Sequence, residues 1–485
     1  MEAGDRQHVV LFPYMAQGHI NPFLALAELL RRRRPTLIVT LVSTPLNIQN
    51  IKSSPCPPSL SSIRLRSVPF SPAAHGLPPE AETTAAIPFH QIVTLFHASL
   101  SLQPAFEQLI EDITQKDGRP PLCIIADYCF AWSVHVARRF GAFHSIFCTS
   151  GAYGTTVYSS LWTHLPHRKT NSDEFPLPEF PDTIIHRSQL PKHLLMADGT
   201  DPWSDFLQRQ ISLLSETDAV IINTVEEVEK TGLRMLRKLL PCPIWPVGPV
   251  VSSPSSAIAA IAGNDHILKW LDSQPPASVL YVSFGSQNTI AAPQMKELAM
   301  GLEASRTRFL WVIRPPVGFD VKGEFKPEWL PEKFEERMRD AGTGVLVHGW
   351  APQLEILSHA STGGFLSHCG WNSVLESLSR GVPIVAWPLS GDQLYNAKMM
   401  EEELGVCVEV ARGNMESSRA DRVVVEKVVK EVMHGGQRGK EIRRRVEEVR
   451  GLMKEAWTEG PGSSVKGLSE FFRAAASMRR AGMKM

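Results

Sequence analysis

His19 is the first residue whose type and setting invite chemistry. It stands in Ala16-Gln17-Gly18-His19-Ile20-Asn21-Pro22, directly after the apolar run Val9–Tyr14, which reads as an opening strand. Gly18 permits close backbone approach and Pro22 suits the first turn of a helix, so the heptad is a strand-to-helix loop. Loops at the C-terminal ends of strands in an open α/β sheet are where ligands bind, which makes His19 a candidate proton acceptor. The same heptad is equally a helix-capping loop with an incidental histidine. Asp127 closes a later apolar run, Leu122–Asp127, ahead of Tyr128, Cys129 and Phe130. A carboxylate against that apolar company needs a partner. Bonded to one nitrogen of an imidazole, it fixes the tautomer and stabilises the imidazolium that forms when the ring takes a proton, as in a hydrolase triad. Its bland alternative is an N-cap for the helix that follows.

A second group lies in the other half of the chain. Trp350 offers a flat face on which a nucleobase stacks, a contact of about 1–3 kcal/mol, or else it is a core tryptophan. The loop Ser367-His368-Cys369-Gly370-Trp371-Asn372-Ser373 joins a strand to a helix beginning near Ser373. Free amides and the positive end of that helix converge on one spot, which suits a diphosphate. Ser373 and Glu376 also have the spacing of a capping box, under which Glu376 is purely structural.

The stretch from Trp350-Ala351-Pro352-Gln353, through that loop and Glu376, to Gly391-Asp392-Gln393 resembles over its whole length the sugar-nucleotide signature of plant secondary-product glycosyltransferases, the plant family 1 UDP-glycosyltransferases. The resemblance implies that Trp350 and the Ala351 backbone meet the uracil, and that Gln353 and Glu376 meet the ribose. It implies His368, Asn372, Ser373 and, from a separate loop, Ser286 at the phosphates, with Trp371, Asp392 and Gln393 at the sugar. A glutamine at 393 resembles the glucose-using members, where a histidine is associated with galactose. Beyond the signature, His19 matches the family's general base, Asp127 its partner, Thr149 the residue near the sugar 6-hydroxyl, and Ile222-Asn223-Thr224-Val225-Glu226-Glu227 a common family segment, so nearly the whole chain is covered. The implied fold is GT-B: two facing Rossmann-like, doubly wound α/β domains with a cleft between them, the C-terminal helix crossing back onto the first.

These residues need elements to hold them, and the sequence supplies an alternation of short Val/Ile/Phe-rich runs with longer helical patterns, as in a parallel sheet with crossover helices. In the first half the strand candidates are Val9–Tyr14, Leu37–Thr44, Ile63–Val68, Leu122–Asp127, Ser145–Thr149 and Ala219–Thr224, with Phe23–Arg33 the first clear helix. In the second they are Val279–Gly285, Phe309–Arg314, Gly344–Val347, Gly364–Ser367, Pro383–Pro388 and Val406–Val410. With 485 residues, two domains are the prior expectation. An acceptor-binding domain over 1–248, a linker over 249–264, a UDP-sugar domain over 265–461 and a terminal helix at about 462–485 follow. Irregular stretches at Ser71–Pro88 and Leu161–Asp201 are expected to shape an acceptor pocket, with Phe89, Phe96, Tyr128, Phe130, Trp203 and Phe206 as candidate lining, each of them equally a core residue.

Composition excludes other classes. Fifty basic residues balance fifty acidic ones, so no net field draws the chain to nucleic acid or an anionic membrane. Seven cysteines without a paired spacing read as reduced thiols, and no apolar run suits a signal peptide or membrane anchor, so a cytoplasmic protein is expected, with a monomer as its state. No D-x-D sequence is present to hold a divalent metal on a diphosphate, so the expectation is no metal and no cofactor, with UDP-glucose as donor substrate. A nicotinamide oxidoreductase would need G-x-G-x-x-G after a strand, and a serine hydrolase G-x-S-x-G; neither is found. A binding protein that has lost turnover is disfavoured by the intact His19 and Asp127. The resulting expectation is an inverting glucosyltransferase acting on a hydroxyl or carboxyl of a small lipophilic plant metabolite, giving a beta-glucoside; C-glycosylation stays open.

Overall fold

The computed structural model describes residues 7–53, 62–252, 265–320 and 322–482. Most of the expected linker, 253–264, lies outside the described residues, as does Cys56. The chain divides into two compact units, one of Met1–Leu165, Ala197–Ser252 and Glu455–Met485, the other of Pro166–Met196 and Ser253–Lys454. Strands follow in the order β1 (His8–Phe12), β2 (Ile38–Ser43), β3 (Arg64–Ser67), β4 (Cys123–Ala126), β5 (Phe143–Cys148), β6 (Glu174–Leu177), β7 (Phe180–His186), β8 (Ala219–Ile222) and β9 (Ile244–Pro246). Then come β10 (Val279–Ser283), β11 (Arg308–Ile313), β12 (Gly344–His348), β13 (Thr362–Ser367), β14 (Ile384–Ala386) and β15 (Cys407–Glu409).

Among the described residues, the first unit is built on a seven-stranded parallel sheet ordered β3-β2-β1-β4-β5-β8-β9. Its central strands are buried end to end, as strands covered by helices on both faces must be. The edge strand β3, Arg-Leu-Arg-Ser, keeps its arginines toward water, which protects an unpaired sheet edge. From β1 the chain winds outward through β2 to β3, then returns to start β4 on the other side of β1. The order therefore reverses between β1 and β4, and a crevice opens beyond their C-terminal ends. The helix Ser463–Gly482 belongs to this unit: Leu468, Phe471, Phe472 and Ala475 enter its core, and Trp245 of β9 donates from Nε1 to Glu470 Oε2 at 3.0 Å.

The second unit repeats the plan with a six-stranded parallel sheet, β12-β11-β10-β13-β14-β15, which reverses between β10 and β13. All twelve expected strands are present, each within a few residues of its expected limits. Three others were not foreseen. The hairpin β6/β7 lies in a proline-rich stretch, and β9 is a three-residue edge strand ending in Pro246, so neither shows an apolar alternation long enough to read. The hairpin also corrects a boundary, because Pro166–Met196 groups with the second unit instead of the first. Leu190 accepts from Asn414 Nδ2 at 3.3 Å, and Lys192 pairs with Glu416 at 2.6 Å. No helix among the described residues is long and apolar enough to cross a membrane.

Candidate active site

At the first reversal, β1 and β4 run in register with Phe12 opposite Ala126, and the Asp127 amide donates to Phe12 O at 2.9 Å. That pairing brings the residues just past both strands together. His19 sits not in a loop but in the first turn of the helix Gln17–Arg33, which starts six residues earlier than the apolar pattern that begins at Phe23. Pro22 is accordingly inside the helix, where its missing N–H leaves out one i→i−4 backbone bond. His19 Nδ1 lies 2.6 Å from Asp127 Oδ2, with the imidazole 26% exposed and the carboxylate fully buried. Asp127 also accepts the Cys129 amide at 3.0 Å on Oδ1, as N-cap of the short helix Tyr128–Phe130. Its two readings thus hold at once: one oxygen caps, the other orients the imidazole. With the proton assigned to Nδ1, where Asp127 accepts it, the lone pair is at Nε2.

Rings extend from the dyad. Tyr14 meets the His19 ring at 5.7 Å and Phe96 at 4.9 Å, and Phe96 stacks on Phe206 at 4.8 Å and meets Trp203 at 5.5 Å. Phe89 lies 6.1 Å from Trp203 and is exposed, and Tyr128 is half-buried 6.4 Å from His19. Phe130, by contrast, stacks on Phe12 with Trp132 at its edge and is core, and Phe206 is equally buried beneath Phe96, so both leave the candidate lining. Thr149 is buried at the end of β5, before the helix Ala152–His164. The first amides of that helix, Ala152 and Tyr153, donate to the buried carboxylate of Glu229 at 2.8 and 3.0 Å, which fixes the loop carrying Thr149. Glu229 follows the segment Ile222–Glu227, and a glutamate among several others gave no local signal of this role.

At the second reversal, Ser283 of β10 lies opposite Ser367 of β13, so the loops after both strands adjoin. One carries Phe284-Gly285-Ser286, the other His368-Cys369-Gly370 and the helix Trp371–Ser379. That helix begins two residues before the expected Ser373, with Gly370 as N-cap and no side chain capping it. Ser373 is therefore inside the helix and the capping-box reading fails. Gly285 has φ +79°, and a Cβ there would meet the His368 ring at 2.7 Å; a Cβ on Gly370 would meet Nε2 at 2.6 Å. Both glycines exist to admit that imidazole. Burial pushes His368 down to about 4, with the Arg314 charge acting in the same direction, so at neutral pH it is an uncharged donor. Cys369 takes φ +64°, a conformation held by its amide donating to Ser367 Oγ at 3.1 Å and its carbonyl accepting from Asn396 Nδ2 at 3.1 Å. Ser286 is exposed and Trp371 buried.

Trp350, just past β12, is 56% exposed, which removes its core reading, while Ala351 beside it is buried. Gln353 opens the helix Gln353–Ser358 and donates from Nε2 to Glu376 Oε2 at 2.6 Å and Ser373 Oγ at 3.0 Å. Burial pushes the Glu376 carboxyl up to about 7, against the stabilising hydrogen bond from Gln353. Asn396 Nδ2 holds Asp392 Oδ2 at 3.0 Å, and Gln393 Oε1 accepts the Leu389 and Ser390 amides at 3.1 and 3.0 Å. Asn396, buried and bonded both to the loop after β13 and to Asp392, is a further organiser of this site that the sequence pattern did not single out.

Comparison with known proteins decides the family. Residues 176–442 match the family described as UDP-glucoronosyl and UDP-glucosyl transferase, and residues 5–250 match the glycosyltransferase N-terminal domain. The chain is 43% identical over 471 residues to UDP-glycosyltransferase 92A1 of Arabidopsis thaliana, covering 96% of each. This chain is a plant family 1 UDP-glycosyltransferase. Crocetin glucosyltransferase 3 of Crocus sativus is 47% identical over 431 residues, covering 86% of this UDP-glycosyltransferase and 90% of that protein. A Glycyrrhiza uralensis structure complexed with glycyrrhetinic acid 3-O-monoglucuronide superposes with a TM-score of 0.84 at 28% identity, covering 99% and 98% of the two chains. A Phytolacca americana structure complexed with UDP-2fluoro-glucose and pterostilbene gives 0.77 at 30% identity, covering 98% and 100%. The UDP-glycosyltransferase therefore has the GT-B fold and transfers a glycosyl group from a UDP-sugar to a small molecule.

Proposed function

We propose that this UDP-glycosyltransferase moves glucose from UDP-glucose to a hydroxyl, or a carboxyl, of a small lipophilic plant metabolite in one inverting displacement, giving a beta-glucoside. The 2.6 Å bond between His19 Nδ1 and Asp127 Oδ2 is the observation that carries the reading. His19 Nε2 takes the acceptor proton as the acceptor oxygen bonds to the anomeric carbon. The bond from that carbon to the β-phosphate oxygen breaks on the opposite face, and UDP leaves with the electron pair. Asp127 stabilises the imidazolium.

In this reading Trp350 stacks on the uracil and the Ala351 backbone meets its edge, while Glu376 and Gln353 take the ribose hydroxyls. Ser286, His368, Asn372 and Ser373 hold the diphosphate together with the start of the helix Trp371–Ser379. No metal or other cofactor takes part, the leaving group being stabilised by amides, hydroxyls and a neutral histidine. Glucose is favoured by Gln393: its carbonyl oxygen is committed to backbone amides, so its NH2 end meets the sugar beside Asp392 and Trp371. Thr149 meets the sugar 6-hydroxyl. The half-buried rings of Phe96 and Trp203 favour a flat or elongated apolar acceptor. The enzyme works as a cytoplasmic monomer.

The test is incubation with UDP-glucose, UDP-galactose and UDP-glucuronic acid in turn, with chelator present, against phenolic, terpenoid, flavonoid and carboxylic acceptors including crocetin. NMR of the product assigns its anomeric configuration. A beta-glucoside formed fastest from UDP-glucose supports the reading; an alpha-linked product, or turnover that needs added metal, overturns it.

A further inference from the structure

Arg314 follows the last residue of β11, next to β10 in the sheet. Its Nη1 donates to the carbonyl of Ser286, and with Phe284, Gly285, Asn288 and Thr289 it lines a small recess beside the loop after β10. The guanidinium is half-buried, and among the described residues no carboxylate pairs with it; the titratable neighbour that acts on it is the Tyr281 phenol, whose pKa burial raises, keeping it uncharged. Burial accordingly lowers the Arg314 pKa, although an arginine stays cationic in any protein. A guanidinium has five N–H donors, and withdrawing it partly from water for one backbone carbonyl is costly unless another acceptor completes the site.

The surroundings indicate what that acceptor is. The positive charge reaches His368, whose imidazole is itself uncharged at neutral pH. Ser286, Ser373 and the first amides of the helix Trp371–Ser379 are neutral donors, and a helix start contributes only about half an elementary charge. A diphosphate brings more negative charge than that, and gains more when its bond to the sugar breaks.

We propose that Arg314 is a donor-binding residue that places a full positive charge against the diphosphate of the UDP-sugar while anchoring the Ser286 carbonyl. The proposal rests on the reading that the loops after β10 and β13 hold the diphosphate. As the bond to the anomeric carbon breaks and the electron pair passes to UDP, the guanidinium gains attraction, so it acts on the transition state as well as on binding.

Calorimetric titration of the full chain with UDP, UMP and uridine, for wild type, Arg314→Gln and Arg314→Lys, tests this, with a ligand-free thermal melt to verify folding. Wild type prefers UDP over uridine. In Arg314→Gln that preference shrinks by about tenfold or more, the scale of one charge-assisted hydrogen bond, while uridine affinity stays within about twofold. Arg314→Lys recovers part of it, and the salt dependence of UDP binding weakens in Arg314→Gln. Equal losses for UDP and uridine would mean that Arg314 only holds the loop, and an unchanged UDP preference would mean that it bears no charge role; either overturns the proposal. A wild type that binds none of the three ligands overturns the underlying donor-site reading instead.

Discussion

Gln353 Nε2 lies 2.6 Å from Glu376 Oε2, so one amide ties the residue three places after Trp350 to the helix that opens at Gly370. The pairing leaves a carboxyl that burial has pushed from its ordinary 4.5 to about 7. Between those values the folded protein holds a proton that the unfolded chain has released. This group's contribution to stability therefore falls as pH rises through the window and levels off above about 7. Glu376→Gln should flatten that part of the stability-against-pH curve. In wild type, UDP affinity should rise across the same window, because ribose hydroxyls donate best to a carboxylate. Denaturant melts and UDP titrations from pH 5 to about 8.5 read both; a stability that climbs with pH equally in both proteins contradicts the assignment.

Asp127 serves two partners, and two substitutions separate them. Asp127→Asn keeps an oxygen for the Cys129 amide but loses the charge that supports an imidazolium at His19. It should melt near wild type while turnover falls by about 10²–10⁴-fold. Asp127→Ala should lose turnover similarly and about 1 kcal/mol of stability besides, the usual worth of an N-cap. An Asp127→Asn enzyme with near-normal turnover contradicts the role of the carboxylate.

The Tyr14 hydroxyl is buried beside the dyad with no hydrogen-bond partner among the described residues. Tyr14→Phe keeps the ring contacts with His19, Phe96 and Phe130 and removes only that oxygen. Stability should be unchanged or higher, by up to about 1–3 kcal/mol if the hydroxyl is wholly unsolvated. A clear drop in melting temperature would show that the hydroxyl has a stabilising partner.

Glu229 accepts two buried amides at the start of the helix Ala152–His164. Glu229→Ala leaves both unsatisfied and should cost about 2–5 kcal/mol, with Glu229→Gln costing less because one acceptor remains. Hydrogen exchange at Ala152 and Tyr153 should accelerate in the alanine variant relative to the sheet core, and exchange that is unchanged there excludes the carboxylate as their anchor.

Legibility in the sequence followed the range of the forces involved. The strands were readable because both sheet faces are covered, which leaves uninterrupted Val/Ile runs such as Val9–Leu11 and Val279–Leu280. His19 and Asp127 were readable because each follows such a run, although their meeting depends on β1 pairing with β4, a long-range event. The start of the first helix was misjudged because Gln17-Gly18-His19 is polar and flexible by local propensity, yet is drawn into the helix. Glu376 looked like half of a capping box because its true partner, Gln353, is 23 residues away. Glu229, Asn396 and Arg314 were missed for the same reason: each acts on a loop that only the folded sheet brings near.

In the proposed mechanism His19 is the base for transfer from a UDP-sugar held by a separate set of residues. The most direct test measures UDP-glucose turnover and UDP affinity side by side in wild type and His19→Ala, with an acceptor that wild type glucosylates through a hydroxyl. Turnover should fall by about 10²–10⁴-fold or more while UDP binds as before. His19→Ala retaining wild-type turnover, with UDP affinity equally intact, would contradict the account at its root.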